Sequence, residues 1–217
     1  MAVRDLLQKL WDSLKSGEIV LVERTDTKDQ HIGIYHMMEW GFEKGYRVLI
    51  VDILDSLHLI KAKTKLSGLN EDVFDKVHVI KIGGKVQVGN VIEWIGDIIE
   101  PVIVAGKFRE AYERFIDENP KTLVIVIGME KLSLTSETIP KNVQVFIGLL
   151  SKYVGDERRL AVHFIKTYAF DGEKKFILGL LEDIATSVIR VSSEDRITEF
   201  KVVKSIEPEL EGLCIRF

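Results

Sequence analysis

The residues best placed to do chemistry are the eight that follow the first hydrophobic strand: Arg24, Thr25, Asp26, Thr27, Lys28, Asp29, Gln30 and His31. They separate a short apolar run, Ile19 to Glu23 (IVLVE), from an apolar-periodic segment holding Ile34, Tyr35, Met38 and Phe42, an order that reads as strand, loop and helix. In an open α/β sheet, ligands bind beyond the carboxyl ends of the strands, so this loop is the first place to look. A phosphate cradle there needs glycines that turn backbone N–H groups inward, a lysine for the outer phosphates and a Ser or Thr hydroxyl for magnesium. The topology suits such a cradle and the residues do not. Two acids, Asp52 and Asp55, stand at and just past the end of a second apolar run, Arg47 to Ile53 (RVLIVDI). Active-site groups often lie at such strand ends, and a carboxylate there serves equally to cap the next turn.

Other polar residues have structural readings. Asp29 suits the N-cap of the helix that follows, where a carboxylate accepts from unpaired N–H groups. His31 and His36 fall on different helical faces and share no metal site. His163 alternates with apolar neighbours and reads as a hydrogen-bonded core or edge residue, and His58 and His78 are isolated. Lys61, Lys63 and Lys65 make a small solvated basic loop. Gly83-Gly84-Lys85 is explained by a tight turn, with an anion nest as the alternative. The sequence holds no GxSxG, HExxH or GxGxxG, which removes support for serine hydrolase, zincin and dinucleotide-binding readings. A single cysteine, Cys214, excludes an internal disulfide and a cysteine-based zinc site. No metal and no cofactor are expected.

The elements that must position these residues follow an α/β alternation. Leu6, Leu7, Leu10, Trp11 and Leu14 form the apolar face of an opening helix closed by Gly17 and packed on its own domain. The strand-loop-helix ends at Gly45, and the strand Arg47 to Ile53 follows at once, which makes a βαβ crossover with parallel pairing. A charged amphipathic stretch around Asn70 to Lys76 and a strand at Val77 to Ile82 come next. A helical region from about Val91 to Glu118 is interrupted at Pro101. Leu123 to Ile127 (LVIVI) is hydrophobic enough for the sheet centre. Helix at Asn142 to Arg158, strand at Leu160 to Tyr168, helix at Lys175 to Ala185 and strand at Ser187 to Ser192 continue the pattern. Ile197 to Lys204 and Leu213 to Phe217 then follow without helices between them, which predicts an antiparallel ending. A chain of 217 residues, 46% hydrophobic, closes one sizeable core, so a single domain over residues 1–217 is expected. The formal charge of -4 has the wrong sign for a surface built to hold nucleic-acid phosphates. With no signal-peptide core and no stretch of membrane-spanning length, a soluble, cytoplasmic protein is expected. Lys, Glu, Ile and Val are abundant while Asn, Gln, Cys and Met are scarce, a usage that leans toward a hot-growing source.

The order helix, GE-IVLVE, loop, helix ending EKG, YRVLIVD resembles the start of the RecA/KaiC-like ATPases, in which a phosphate-binding loop joins the same two strands. The tail, ATSVIRVSSEDRITEFKVVKSIEPELEGLCIRF, is similar to the KaiC-like ending. The chain looks like a member of the degenerate KaiC-like families of unknown function found in hyperthermophilic archaea. The resemblance implies a three-layer α/β sandwich of the P-loop NTPase type, with a mainly parallel central sheet and an antiparallel C-terminal hairpin. Carried over residue by residue, the family's phosphate-loop window falls on Arg24 to His31, with Arg24 and Asp29 at glycine positions, Gln30 at the lysine and His31 at the Ser/Thr. A carboxylate about 4 Å from a phosphate costs roughly 4 kcal/mol at an effective dielectric near 20, about three powers of ten in affinity. The aspartate that ends the family's central strand is replaced by Gly128, with Glu130 further on, and of the positions where its catalytic carboxylate falls, Asp55 alone matches.

These departures imply a catalytically inactive ATPase-like domain that acts by binding a protein or peptide, or by self-association, through an edge strand or groove. The alternative is an atypical nucleotide-binding switch or weak ATPase, with Lys28 reaching phosphate and Asp55 or Asp52 handling magnesium. A nucleic-acid accessory of the recombinase-paralogue type runs against the acidic balance. The loop decides between them, according to whether it leaves an open cavity at the sheet's edge or fills it with its own side chains.

Overall fold

The computed structural model describes residues 3–96, 98, 100–132, 139–170, 172–195 and 197–216. The element order is α1 (Val3–Asp12), β1 (Ile19–Arg24), α2 (His31–Glu43), β2 (Arg47–Ile53), α3 (Ser56–Leu66), β3 (His78–Ile82), β4 (Asn90–Ile95), α4 (Pro101–Glu118), β5 (Thr122–Ile127), α5 (Met129–Leu132), α6 (Ile139–Ser151), β6 (Arg159–Lys166), α7 (Lys175–Ile184), β7 (Ser187–Glu194), β8 (Ile197–Lys204) and β9 (Cys214–Arg216). The strands make one sheet in the order β4-β3-β2-β5-β6-β1-β7-β8-β9. Pairing is parallel from β4 through β7 and antiparallel at β7–β8–β9. This is the expected mainly parallel sheet with an antiparallel C-terminal hairpin.

Period-2 alternation sorts the strand side chains onto two apolar faces, as a sheet covered on both sides requires. Val20, Val22, Val48, Ile50, Ile125 and Val162 pack under α1 and α2. Leu49, Val51, Val124 and Ala161 pack on the opposite face against Val104, Ala111 and Tyr112 of α4, and Leu21, Ile165 and Val188 lie against Ile177 and Leu181 of α7. Leu7, Leu10 and Trp11 of α1 are buried in their own core, as the apolar stripe predicted. Helix α2 approaches the sheet closely at Gly41, where a Cβ would come within 2.6 Å of Leu123 Cδ2.

Several boundaries differ from the sequence reading for local reasons. Asn90–Ile95 is an edge strand and not the start of a helix, because a bulge at Ile92 breaks the alternation that marks strands. Pro101 opens α4, where its missing N–H is harmless. Lys61, Lys63 and Lys65 lie on α3 and not in a loop, and their ammonium groups pair with Asp75, Asp29 and Glu71. The amphipathic stretch shrinks to a short 3-10 segment, Glu71–Asp75, capped by Asn70. Helix α1 ends at Asp12, ahead of Gly17, and α6 ends at Ser151. Phe217 lies outside the described residues.

Candidate functional site

The chain leaves β1 toward β2 in one direction along the sheet and leaves β6 toward β7 in the other. The carboxyl end of β1 therefore adjoins a topological switch point, the place where such sheets hold ligands. Here the loop from Thr25 to Gln30 is tied down by its own groups. Arg24, 5% exposed, donates from Nε to Asp26 Oδ1 and from Nη2 to Ser193 Oγ, each at 2.8 Å. Asp26 also accepts from the Lys28 N–H at 2.7 Å and from the Ser193 N–H at 2.5 Å. Burial pushes the Asp26 carboxyl up, but the Lys28 and Ser193 amides and the Arg24 guanidinium outweigh it and hold the group below the ordinary carboxylate range. The Thr25 N–H donates to Val191 O at 3.1 Å, and Lys28 Nζ to Asp195 O at 3.0 Å. Thr27 is exposed. The first half of the loop is thus stitched to the β7–β8 hairpin.

The second half faces the other way. Asp29 does not cap α2. The N-cap is Gln30, with φ -102° and ψ 1° and no side-chain bond to the helix. Asp29 instead accepts from Lys63 Nζ with both oxygens at 2.8 Å, an ion pair in which both partners carry charge. Gln30 Nε2 donates to Ile165 O at 3.1 Å and Val22 O at 3.4 Å, closing the gap between β1 and β6. His31 Nε2 meets Ser67 Oγ at 2.8 Å. Asp26→Ala leaves a nearly buried guanidinium without its carboxylate, with an expected cost of about 2–3 kcal/mol and faster amide exchange at Thr25–Gln30 and Ser193. Asp29→Ala breaks a pair whose side chains are 41% and 38% exposed, with an expected cost below about 1 kcal/mol. Urea melts and hydrogen exchange check both.

The strand-end acids form a separate cluster. Asp52 lies opposite Lys81 in the β2–β3 register. Lys81 is fully buried, with Nζ 2.9 Å from Asp52 Oδ2 and 2.5 Å from Asp55 Oδ1. Asp52 Oδ1 accepts from the Leu57 N–H at 2.9 Å and so caps the following turn. Leu54 and Asp55 both adopt left-handed backbone, φ 52° and 59°, which seats the Asp55 carboxylate on the N–H groups of Lys85 (2.9 Å) and Val86 (2.9 Å). The Gly83-Gly84-Lys85 turn is therefore an anion nest that holds the chain's own carboxylate, and a Cβ on Gly84 would collide with it. Burial opposes ionisation of Asp55, but Lys81, Val86 and Lys85 pull its carboxyl down to about 2, which leaves it little basicity for activating water.

Between the loop and the ends of β5 and β6 lies a cavity of about 80 Å³, lined among others by Gln30, Lys63, Gly128, Glu130, Lys131 and Lys166. Burial pushes the Glu130 carboxyl up and the Lys131 ammonium down, and Lys131 Nζ donates to Leu54 O at 3.0 Å. At Gly128 a Cβ would run into Ser56 Oγ, so no side chain, acidic or otherwise, fits at the end of β5. The cavity is smaller than the roughly 300 Å³ at which small-molecule pockets begin.

The residues singled out in the sequence thus go to three places: Arg24, Asp26 and Lys28 to the hairpin, Asp29, Gln30 and His31 to the small cavity, Asp52 and Asp55 to Lys81. The sequence reading missed Lys81, Ser193 and Lys131, and took Lys63 only as part of a solvated basic stretch. Lys81 had a signal, a lysine inside the apolar strand VHVIKI, and Ser193 and Lys131 had none.

The fold is that of RecA/KaiC-like proteins. A KaiC-like protein of Pyrococcus horikoshii OT3 superposes with a TM-score of 0.66 at 12% identity, covering 93% of this chain and 86% of that one. The flagellar accessory protein FlaH of Methanocaldococcus jannaschii gives 0.60 at 18% identity, over 100% and 92%. A second Pyrococcus horikoshii OT3 protein, solved as structural project PH0250, gives 0.81 at 25% identity, over 96% and 97%. No curated protein matches the sequence. Residues 9–216 match the model of the family described as Pyrococcus protein of unknown function, DUF257, and the chain belongs to that family.

Proposed function

We propose that this protein is a RecA/KaiC-like domain that neither binds nor hydrolyses nucleotide and that acts by binding a protein or peptide partner or a second copy of itself. The observation that carries the reading is the closure of the loop after β1 by its own side chains. Asp26 takes up the amides and the guanidinium that would face a phosphate, Gln30 closes the β1–β6 gap, and Asp55 is spent on Lys81 and its nest. Magnesium and a nucleoside triphosphate do not suit these residues: Asp26 and Asp29 stand in the loop, the space over the ends of β5 and β6 is about 80 Å³, and the larger cavity beneath the loop has mainly apolar walls. Lys28, on which the switch reading depends, points its ammonium at the hairpin carbonyl of Asp195.

The open edge of β4 supports the binding half of the reading. Trp94 is 44% exposed there, and Val102 and Ile103 in the first turn of α4 are 70% and 56% exposed. The Ile92 bulge and Glu93 discourage indiscriminate strand pairing at that edge, while an exposed tryptophan is a favoured anchor of a specific contact. Titration calorimetry with Mg-ATP is expected to give no binding up to millimolar nucleotide, with no change in Lys28→Ala. Micromolar, magnesium-dependent binding would refute the proposal. Sedimentation of the wild type and Trp94→Glu over a range of concentrations tests self-association through β4, which the substitution is expected to abolish.

A further inference from the structure

On the α1–α2 side of the sheet, beneath the loop, lies a second and larger cavity of about 300 Å³. Its walls are mainly apolar surface, from Leu7 of α1, Val22 of β1, Ile32 of α2, Phe164 of β6, Val191 of β7 and Phe200 of β8, and the loop side chains Arg24 and Lys28 to His31, with Thr198, complete the lining. Of the apolar residues, all but Ile32 are nearly buried. That volume sits at the lower bound of small-molecule pockets.

Two features point to what fills it. The first is Gly33, in the opening turn of α2 and on the cavity wall. A Cβ there would meet only Phe164 Cε1, at 3.9 Å, an ordinary contact. Glycine is the poorest helix former after proline, so a position that tolerates a side chain keeps the space open instead. The second is charge at the mouth. Arg24 is neutralised by Asp26 and Asp29 by Lys63. Lys28 has only the Asp195 carbonyl and no carboxylate partner among the described residues, so it leaves one uncompensated positive charge beside an apolar interior.

We infer that this cavity binds a small amphipathic acid, with an apolar body in the cavity and a single anionic head placed at Lys28. Its mouth is formed by Lys28, Asp29, Gln30 and His31 of the loop after β1. Calorimetry with the full chain and three probes tests it: decanoate, decanol and acetate. Decanoate is expected to bind saturably at one per chain, decanol more weakly, and acetate not at all. Gly33→Leu, with circular dichroism confirming the fold, is expected to abolish decanoate binding by filling the cavity. Lys28→Gln is expected to weaken decanoate about fivefold, as for an exposed ion pair, and to leave decanol unchanged. Absence of saturable decanoate binding, or its persistence in folded Gly33→Leu, would overturn the assignment. If Gly33→Leu does not fold, Lys28→Gln decides: an equal effect on decanoate and decanol, or none on either, counts against the site.

Discussion

Lys81→Met is expected to destabilise the protein by about 3–5 kcal/mol, because it strands two carboxylates that share one buried ammonium. Lys81 and Asp52 are almost fully buried, and the Asp55 side chain is 26% exposed. Neither acid has another side-chain cation bonded to it among the described residues. With the ammonium gone, Asp52 retains the Leu57 amide and Asp55 the amides of its nest, which solvate a charge without cancelling it. The cluster also ties the β2–α3 turn to the β3–β4 turn, so faster hydrogen exchange is expected from Leu54 to Leu57 and from Gly83 to Val86. Removing the charge from both sides separates electrostatics from packing: Lys81→Met combined with Asp52→Asn and Asp55→Asn is expected to recover most of the loss. Urea denaturation of the two variants checks this, and a triple variant as unstable as the single one would show that the ammonium's own packing matters more than its charge.

The second large effect concerns His163 and acid stability. His163 is 2% exposed, lies in the core beside Tyr112, Tyr153 and Arg159, and its Nδ1 has no hydrogen-bond partner among the described residues. Burial, with a smaller contribution from Arg159, pulls it down to about 3. Between that value and the unfolded value near 6.5 the unfolded chain binds a proton that the native state refuses, so stability rises with pH through this window and is lost on acidification. The slope is about 1.4 kcal/mol per pH unit. His31 and His78, both held low first by burial, act in the same direction. Glu23 acts in the opposite one. Burial, opposed by Arg190, raises its carboxyl to about 7, so its native state holds a proton that the unfolded state releases from about pH 4.5 upward. Relative to wild type, His163→Phe is therefore expected to lower the slope of stability against pH by about 1.4 kcal/mol per unit between pH 4.5 and 6.5, and Glu23→Gln to raise it by a similar amount. Melts at several pH values measure both slopes, and parallel profiles for wild type and His163→Phe would show that the native core accepts the proton.

Much of the architecture was legible because its signals are local. The short apolar runs RVLIVDI and LVIVI, the amphipathic face of α1 and the stop at Gly45 depend on neighbours within a few residues. The period of a strand or helix is written at that range. Local reading failed where one local rule was broken, as at β4, whose bulge at Ile92 interrupts the period, and at α3, whose lysines mask the apolar stripe. The loop from Arg24 to His31 matches a phosphate loop only through the resemblance, in position and not in chemistry. It holds no glycine, and Lys28, Thr25 and Thr27 stand away from the positions the resemblance assigns to lysine and hydroxyl.

What took their place was decided by the tertiary structure. Asp26 engages Ser193, Asp29 takes Lys63, Asp55 takes Lys81, and the apolar cavity draws its walls from α1, α2, β1, β6, β7 and β8. Such pairings join residues tens to more than a hundred positions apart, and no periodicity carries them. The sequence by itself determined most of the order of elements and the lack of glycine in the loop after β1, because backbone propensity and the absence of a residue type are properties of the string. Where each charge finds its counter-charge, and which space stays open, depend on how distant elements pack, and that was settled only in three dimensions.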